Sequence, residues 1–301
     1  MNSANSFRHS KAAFIISHSS FLISVAAFAI LWLSGAPHAQ SSPAPVPAMR
    51  LYVLDCGTMK ERDGVAYGLS HEQMAPRDLS DPCALVVHPR GTLLWETGLN
   101  EAVNSIPAGA AAAAVGGPRP GDRVDTPLTT QLAAINYQPS AITYLALSHS
   151  HWDHTGNAGS FLGSTWLVQK PERDVMFAEK PLSNQRDFDG LRNSKTELLE
   201  GDHDVFGDGS VMLLFTPGHT PGHQALFVQL PRTGAVILSG DLYHFPEELT
   251  LKPTPRGRNA EQIAASMAKI QALMARTGAQ LWIQHDVLGN ARLRKSPAFY
   301  D

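Results

Sequence analysis

The stretch His149-Ser150-His151-Trp152-Asp153-His154 follows directly on the apolar run Ile142-Thr143-Tyr144-Leu145-Ala146-Leu147. A buried strand is expected to end where four side chains able to bind a metal begin. His149 and His151 stand two residues apart, so an extended backbone points both imidazoles to one face. Asp153 and His154 are neighbours and diverge, which frees them to serve a second centre. A lone histidine is usually a satisfied structural residue. Three histidines and an aspartate packed together at a strand end are hard to explain by packing, because burying such groups unpaired is costly. The segment therefore predicts a metal site.

Two metals need more donors than these six residues offer. Three further candidates each close an apolar run. Val211-Met212-Leu213-Leu214-Phe215 leads to Thr216-Pro217-Gly218-His219, Ala235-Val236-Ile237-Leu238 to Ser239-Gly240-Asp241, and Leu281-Trp282-Ile283-Gln284 to His285. The same strand, turn and donor succession thus occurs four times. It is what strands delivering side chains to one edge of a rigid scaffold would produce. Imidazole and carboxylate suit borderline divalent ions such as zinc, and no thiolate lies in the set. No Gly-x-Ser-x-Gly turn offers a competing protein nucleophile.

In order and spacing, these residues resemble the metallo-β-lactamase superfamily: His-x-His-x-Asp-His, a Pro-Gly-His turn, Gly-Asp, and a late His after a strand. The resemblance implies an αββα sandwich and two divalent metal ions, zinc being favoured by the donors. It implies that His149, His151 and His219 hold the first metal and Asp153, His154 and His285 the second, with Asp241 bridging. His223, four residues after His219, would support a ligand rather than act as one. A bridging carboxylate is unlike the β-lactamases themselves. The flanks are similar to N-acyl-homoserine lactonases of the quorum-quenching type, at Leu51-Tyr52-Val53-Leu54-Asp55-Cys56-Gly57, at His88–Gly98 and at Phe206-Gly207-Asp208-Gly209-Ser210. The implied reaction is lactone hydrolysis by a metal-bridging hydroxide, with metal contacts on the carbonyl oxygen and the departing alkoxide. In those lactonases a tyrosine three residues after the bridging aspartate faces the carbonyl. Here that position is His244, and Tyr243 precedes it. Both are candidate hydrogen-bond donors, and a packed Tyr243 with a satisfied hydroxyl is the structural alternative. The same site could serve a phosphotriester, β-lactam, thioester or carboxylic ester. A non-catalytic metal-binding domain is the third reading.

The 301 residues carry a net charge of −3. Residues 1–39 hold Arg8 and Lys11 and no acids, so the remainder carries −3 − 2 = −5. No basic stripe appears, and a small-molecule substrate is expected rather than a nucleic acid. Arg8, His9 and Lys11 precede the apolar run Phe21–Leu33, and small residues follow around Ala36 and Ala39. This pattern predicts a signal peptide over 1–39 cleaved near Ala39, a periplasmic or secreted enzyme, and no stable membrane association after cleavage. An uncleaved anchor is the alternative. Residues 40–48 form a Pro-rich linker and 49–301 a single hydrolase domain. Cys56 and Cys83 flank two predicted strands; they form either a disulfide in an exported chain or two buried thiols.

Strands are predicted at 50–55, 83–88, 92–96, 142–148, 165–169, 211–216, 225–230, 235–239 and 280–284. Helices are predicted at about 127–137, 171–177 and 259–276, the last with apolar Ile263, Met267, Ile270 and Met274 on one face and Gly278 beyond its end. The low-complexity stretch 107–121 is either an apolar loop beside the site or a surface insertion.

Overall fold

The computed structural model describes residues 48–110, 117–180, 182–251 and 258–301; the predicted signal peptide lies outside the described residues, as does most of the linker. Two mixed sheets form the centre. The first has the strand order β1 (Arg50–Arg62), β2 (Arg77–His88), β3 (Gly91–Trp95), β4 (Tyr144–Ala146), β5 (Thr165–Gln169), β6 (Thr196–Leu199). The second runs β11 (Gln280–Trp282), β10 (Gly234–Leu238), β9 (Gln224–Leu230), β8 (Val211–Phe215), β7 (His203–Asp204).

Strand residues alternate faces, and both faces are covered, so these strands read as unbroken apolar runs. Along β2, Ala84 and Val86 join the core between the sheets, while Cys83, Leu85 and Val87 face the outer layer with Leu128 and Leu132. Along β9, Leu226 and Val228 point inward to Trp95, Leu167 and Val236. Ala225 and Phe227 point outward to Ile263, Met267 and Ile270 of the helix Ala260–Thr277. Helices therefore cover both outer faces, and the architecture is the expected αββα sandwich.

The long helix starts and stops where its chemistry says. The Asn259 side chain accepts from Gln262 N, and Gly278 closes it in the left-handed conformation at φ +70°. The helix near 127 is shorter than predicted, spanning Leu128–Ala134, and no side chain caps it. β6 and β7 were not predicted: β6 is a half-exposed edge strand and β7 has two residues. β1 and β2 both run past their predicted ends, with register shifts between Asp55 and Thr58 and between Met59 and Arg62. Cys56 and Cys83 form a disulfide across this hairpin, with Cα atoms 5.7 Å apart.

Candidate metal centre

The predicted donors meet at one edge of the sandwich, beyond the ends of β4, β8, β10 and β11. His151 keeps an extended backbone (φ −69°, ψ 158°), and a short helix, Trp152–Thr155, then places Asp153 and His154. Two groups form, each with donor atoms within 4.8 Å of one another. In the first, His151 Nδ1 lies 2.7 Å from His149 Nε2 and 3.1 Å from His219 Nε2. Asp241 Oδ2 lies 3.2 Å from His219 Nε2. In the second, Asp241 Oδ1 lies 3.0 Å from His285 Nε2 and 3.2 Å from His154 Nε2, and Asp153 Oδ2 lies 3.6 Å from His285 Nε2. Asp241 thus presents one carboxylate oxygen to each group.

Partners on the far side of each ring set its orientation. His154 Nδ1 sits 3.1 Å from Glu96 Oε1, His149 Nδ1 sits 2.9 Å from Ser148 Oγ, and His285 Nδ1 donates to Ser80 O at 2.9 Å. Glu96 holds a left-handed backbone (φ +64°) that a non-glycine residue adopts only at a cost, roughly 1–3 kcal/mol. Its fully buried carboxylate also accepts from Ser148 N. His223 accepts from Asp241 N at 3.0 Å through Nε2, while its Nδ1 reaches the Thr216 carbonyl and hydroxyl. It buttresses Asp241. Gly240 beside it has φ +50°, and a Cβ there would fall 2.6 Å from Ser148 Cβ. Glu172 joins the two donor loops: it accepts from Ser150 N at 2.8 Å, Thr220 Oγ1 at 2.6 Å and Gly222 N at 3.0 Å.

The electrostatics match cation binding. Burial lowers the pKa of His149, His151 and His219, His151 to about 3, so all three are neutral donors. Burial opposes ionisation of Asp241, but the surrounding histidines, His285 first, hold its carboxyl well below the usual range. His154 Nε2 and Asp241 Oδ1 are buried without a hydrogen-bond partner although they face each other. Orphaned donors of this kind, all nitrogen and oxygen, fit two divalent cations.

A cavity of about 1050 Å³ opens on the donors. Val103, Ile106, Trp152 and Leu182 make part of its wall apolar, and Arg258 and Gln262 supply polar groups. Arg258 donates to His219 O at 2.6 Å. Pro118 and Arg119, from the described end of the low-complexity stretch, line the cavity, so that end is not a remote surface insertion; the Arg62–Asp122 ion pair holds it at 2.7 Å. Residues 111–116 lie outside the described residues.

The two donor candidates after Asp241 separate. His244 lines the cavity, with Nε2 3.4 Å from Asp241 Oδ2 and Nδ1 3.1 Å from Glu248 Oε1. Burial opposes its charging, but Glu248 and Asp241 push its pKa up to about 10. Tyr243 points the other way. Its ring packs with Phe227, Ile263 and Met267, and its hydroxyl lies 3.4 Å from Gln271 Nε2. Successive residues of an extended segment face opposite sides, so Tyr243 as a catalytic candidate is corrected to a core residue. Tyr67, Glu96, Glu172 and Arg258 were not predicted; only Glu96 left a signal, as an acid directly after the apolar run of β3.

A profile of the Metallo-beta-lactamase superfamily matches residues 77–275, more than half of the chain. The chain belongs to the metallo-β-lactamase superfamily. Within this superfamily it is 30% identical over 267 residues to the N-acyl homoserine lactonase AttM of Azorhizobium caulinodans, covering 84% of this chain and 99% of that one. A crystal structure of a B. thuringiensis AiiA variant, with N-decanoyl-L-homoserine bound at its active site, superposes with a TM-score of 0.70 at 25% identity; the match covers 83% of this chain and 98% of that one. The fold is also shared with AidC, described as a dizinc quorum-quenching lactonase, at a TM-score of 0.60 and 17% identity over 86% and 95% of the two chains. The chain is most like lactonases of the superfamily and is a metal-dependent hydrolase.

Proposed function

We propose that this hydrolase opens lactone rings of the N-acyl-homoserine type at a dinuclear zinc centre. His149, His151 and His219 would hold one ion and Asp153, His154 and His285 the other, with Asp241 shared. The observation that carries this reading is the split carboxylate of Asp241, one oxygen turned to each set of donors. The lactonase relatives support the substrate class.

Two zinc ions, when bound, supply a water acidified towards neutrality and an electrophilic contact for a carbonyl oxygen. The chain's own residues bind and orient the substrate. The apolar wall at Val103, Ile106 and Leu182 receives an acyl chain and excludes water from it. His244, fixed through Nδ1 by Glu248, presents Nε2 at the cavity surface as a proton holder beside the reacting carbonyl. Arg258 and Gln262 offer donors to an amide carbonyl on the substrate.

Zinc-quantified protein should open acyl-homoserine lactones of several chain lengths, and Asp241→Ala should lose the activity together with both ions while keeping its fold. Turnover of a phosphotriester, thioester or β-lactam with lactones inert would reassign the substrate class and leave the centre intact. Full activity in Asp241→Ala would refute the shared carboxylate. We also propose export by a cleaved leader over residues 1–39, supported by the basic-then-apolar pattern and consistent with the Cys56–Cys83 disulfide. Cell fractionation with N-terminal sequencing checks it; an intact leader on cytosolic protein refutes it.

A further inference from the structure

Tyr67 is a group in the cavity wall with no assigned work. It belongs to the connection 63–76 between β1 and β2, far in sequence from every donor. That connection is locally determined. Asp63 accepts from Val65 N, the turn Gly64–Tyr67 follows, and Gly68 ends it at φ +84°. Leu69 and Met74 anchor the segment in a small core with Leu99, Val103 and Phe245. The Tyr67 ring is held on two sides, 4.6 Å from the His244 ring and edge-on to Phe245 at 4.8 Å.

The ring is fixed, but no hydrogen bond to its hydroxyl is found among the described residues. Tyr67 is partly buried and lines the reaction cavity, so its fixed ring leaves the hydroxyl available to a bound molecule there. Tyr243, by contrast, has Gln271 at its hydroxyl. Burial, then the nearby charges of Asp153 and Asp241, raise the Tyr67 pKa above its ordinary value.

We propose that Tyr67 donates its phenolic hydrogen to the substrate carbonyl oxygen as that oxygen gains charge. The oxyanion donor then comes from the β1–β2 connection, packed at a tilt against His244, rather than from position 244 itself. This rests on the lactone reading above. The alternative is a wall residue that contributes only its ring.

The test is Tyr67→Phe, which keeps the ring contacts and removes the hydroxyl. With zinc content and Tm unchanged, kcat on a lactone should fall about a hundredfold or more, with KM changed little. A calorimetric arm needs no turnover. A cyclic phosphonate, a stable tetrahedral mimic of the attacked ring, should bind zinc-loaded Tyr67→Phe roughly tenfold or more weaker than wild type. A cyclic ether of the same ring, lacking the carbonyl, should bind both alike. Wild-type kcat in Tyr67→Phe overturns the proposal, and so does equal phosphonate binding or none by either protein. If zinc-loaded wild type opens no lactone, the functional reading fails, and the phosphonate arm alone decides the role of Tyr67.

Discussion

Glu172 shows how much of this site depends on single side chains away from the donors. One buried carboxylate accepts from the loop that carries His149 and His151 and from the loop that carries His219. Burial raises its pKa, and those hydrogen bonds counter the shift. Removing the carboxylate strands buried N–H groups on both loops, each worth on the order of 1–3 kcal/mol. Glu172→Ala should therefore lower the unfolding free energy by roughly 3 kcal/mol, and it should release zinc to a competing chelator more readily than wild type. Chemical denaturation and chelator competition measure both, and unchanged zinc retention would mean the loops hold without it. Tyr243 makes the opposite case. Its hydroxyl has a single long contact to Gln271, so Tyr243→Phe should cost less than about 1 kcal/mol and leave turnover unchanged. A large loss of kcat would return Tyr243 to the site.

At the scale of elements, donor-bearing strands were legible because burial on both faces makes them continuous apolar runs. β5 lies at its predicted residues, β8, β9 and β10 deviate by single positions, and β4 and β11 stop two residues before their predicted ends. The failures share a cause. β6 has a half-exposed composition, and only its pairing with β5 makes it a strand. β1 and β2 continue past Asp55 and upstream of Cys83 through polar residues, held by their mutual register and by Lys60 with Asp78 and Asp122. Propensity cannot reveal pairing of that kind. The disulfide ties the same hairpin. Cys56 and Cys83 are separated by 27 positions, and closing a loop of that length should stabilise the fold by roughly 3 kcal/mol. Replacing both by serine should lower the denaturation midpoint accordingly. A change within error would show that hairpin pairing alone constrains the unfolded chain.

For the molecule as a whole, the metals and the charges around them couple to folding. The donor groups gather imidazole and carboxylate side chains in a buried space, and ions that bind only the folded state stabilise it by mass action. Chelation should lower Tm, and zinc should restore it in proportion to the logarithm of free zinc. A Tm indifferent to zinc would contradict a structural contribution of the centre. Lys295 offers an independent pH test at a residue outside the donor groups. Burial lowers its pKa from 10.5 to about 8, with Asp55 opposing, so the folded chain releases this proton before the unfolded chain does. Between those values the unfolded state binds more protons, and this residue's contribution to stability rises with pH. Below about 8 the cost of charging it is fully present. Lys295→Met should flatten that rise in pH-dependent denaturation, and an identical slope would place the effect elsewhere.

The sequence by itself determined which histidines and aspartates gather at one edge, the strands that precede them and the αββα class, because local spacing and apolar runs carry that information. Only the tertiary structure decided which groups face the donors. Glu96 and Glu172 orient donors from distant positions, Tyr243 turns into the core, and Tyr67 arrives over the cavity from the β1–β2 connection. Facing is a property of how packed layers cross. No sequence period encodes which of two neighbouring side chains, Tyr243 or His244, looks onto the site.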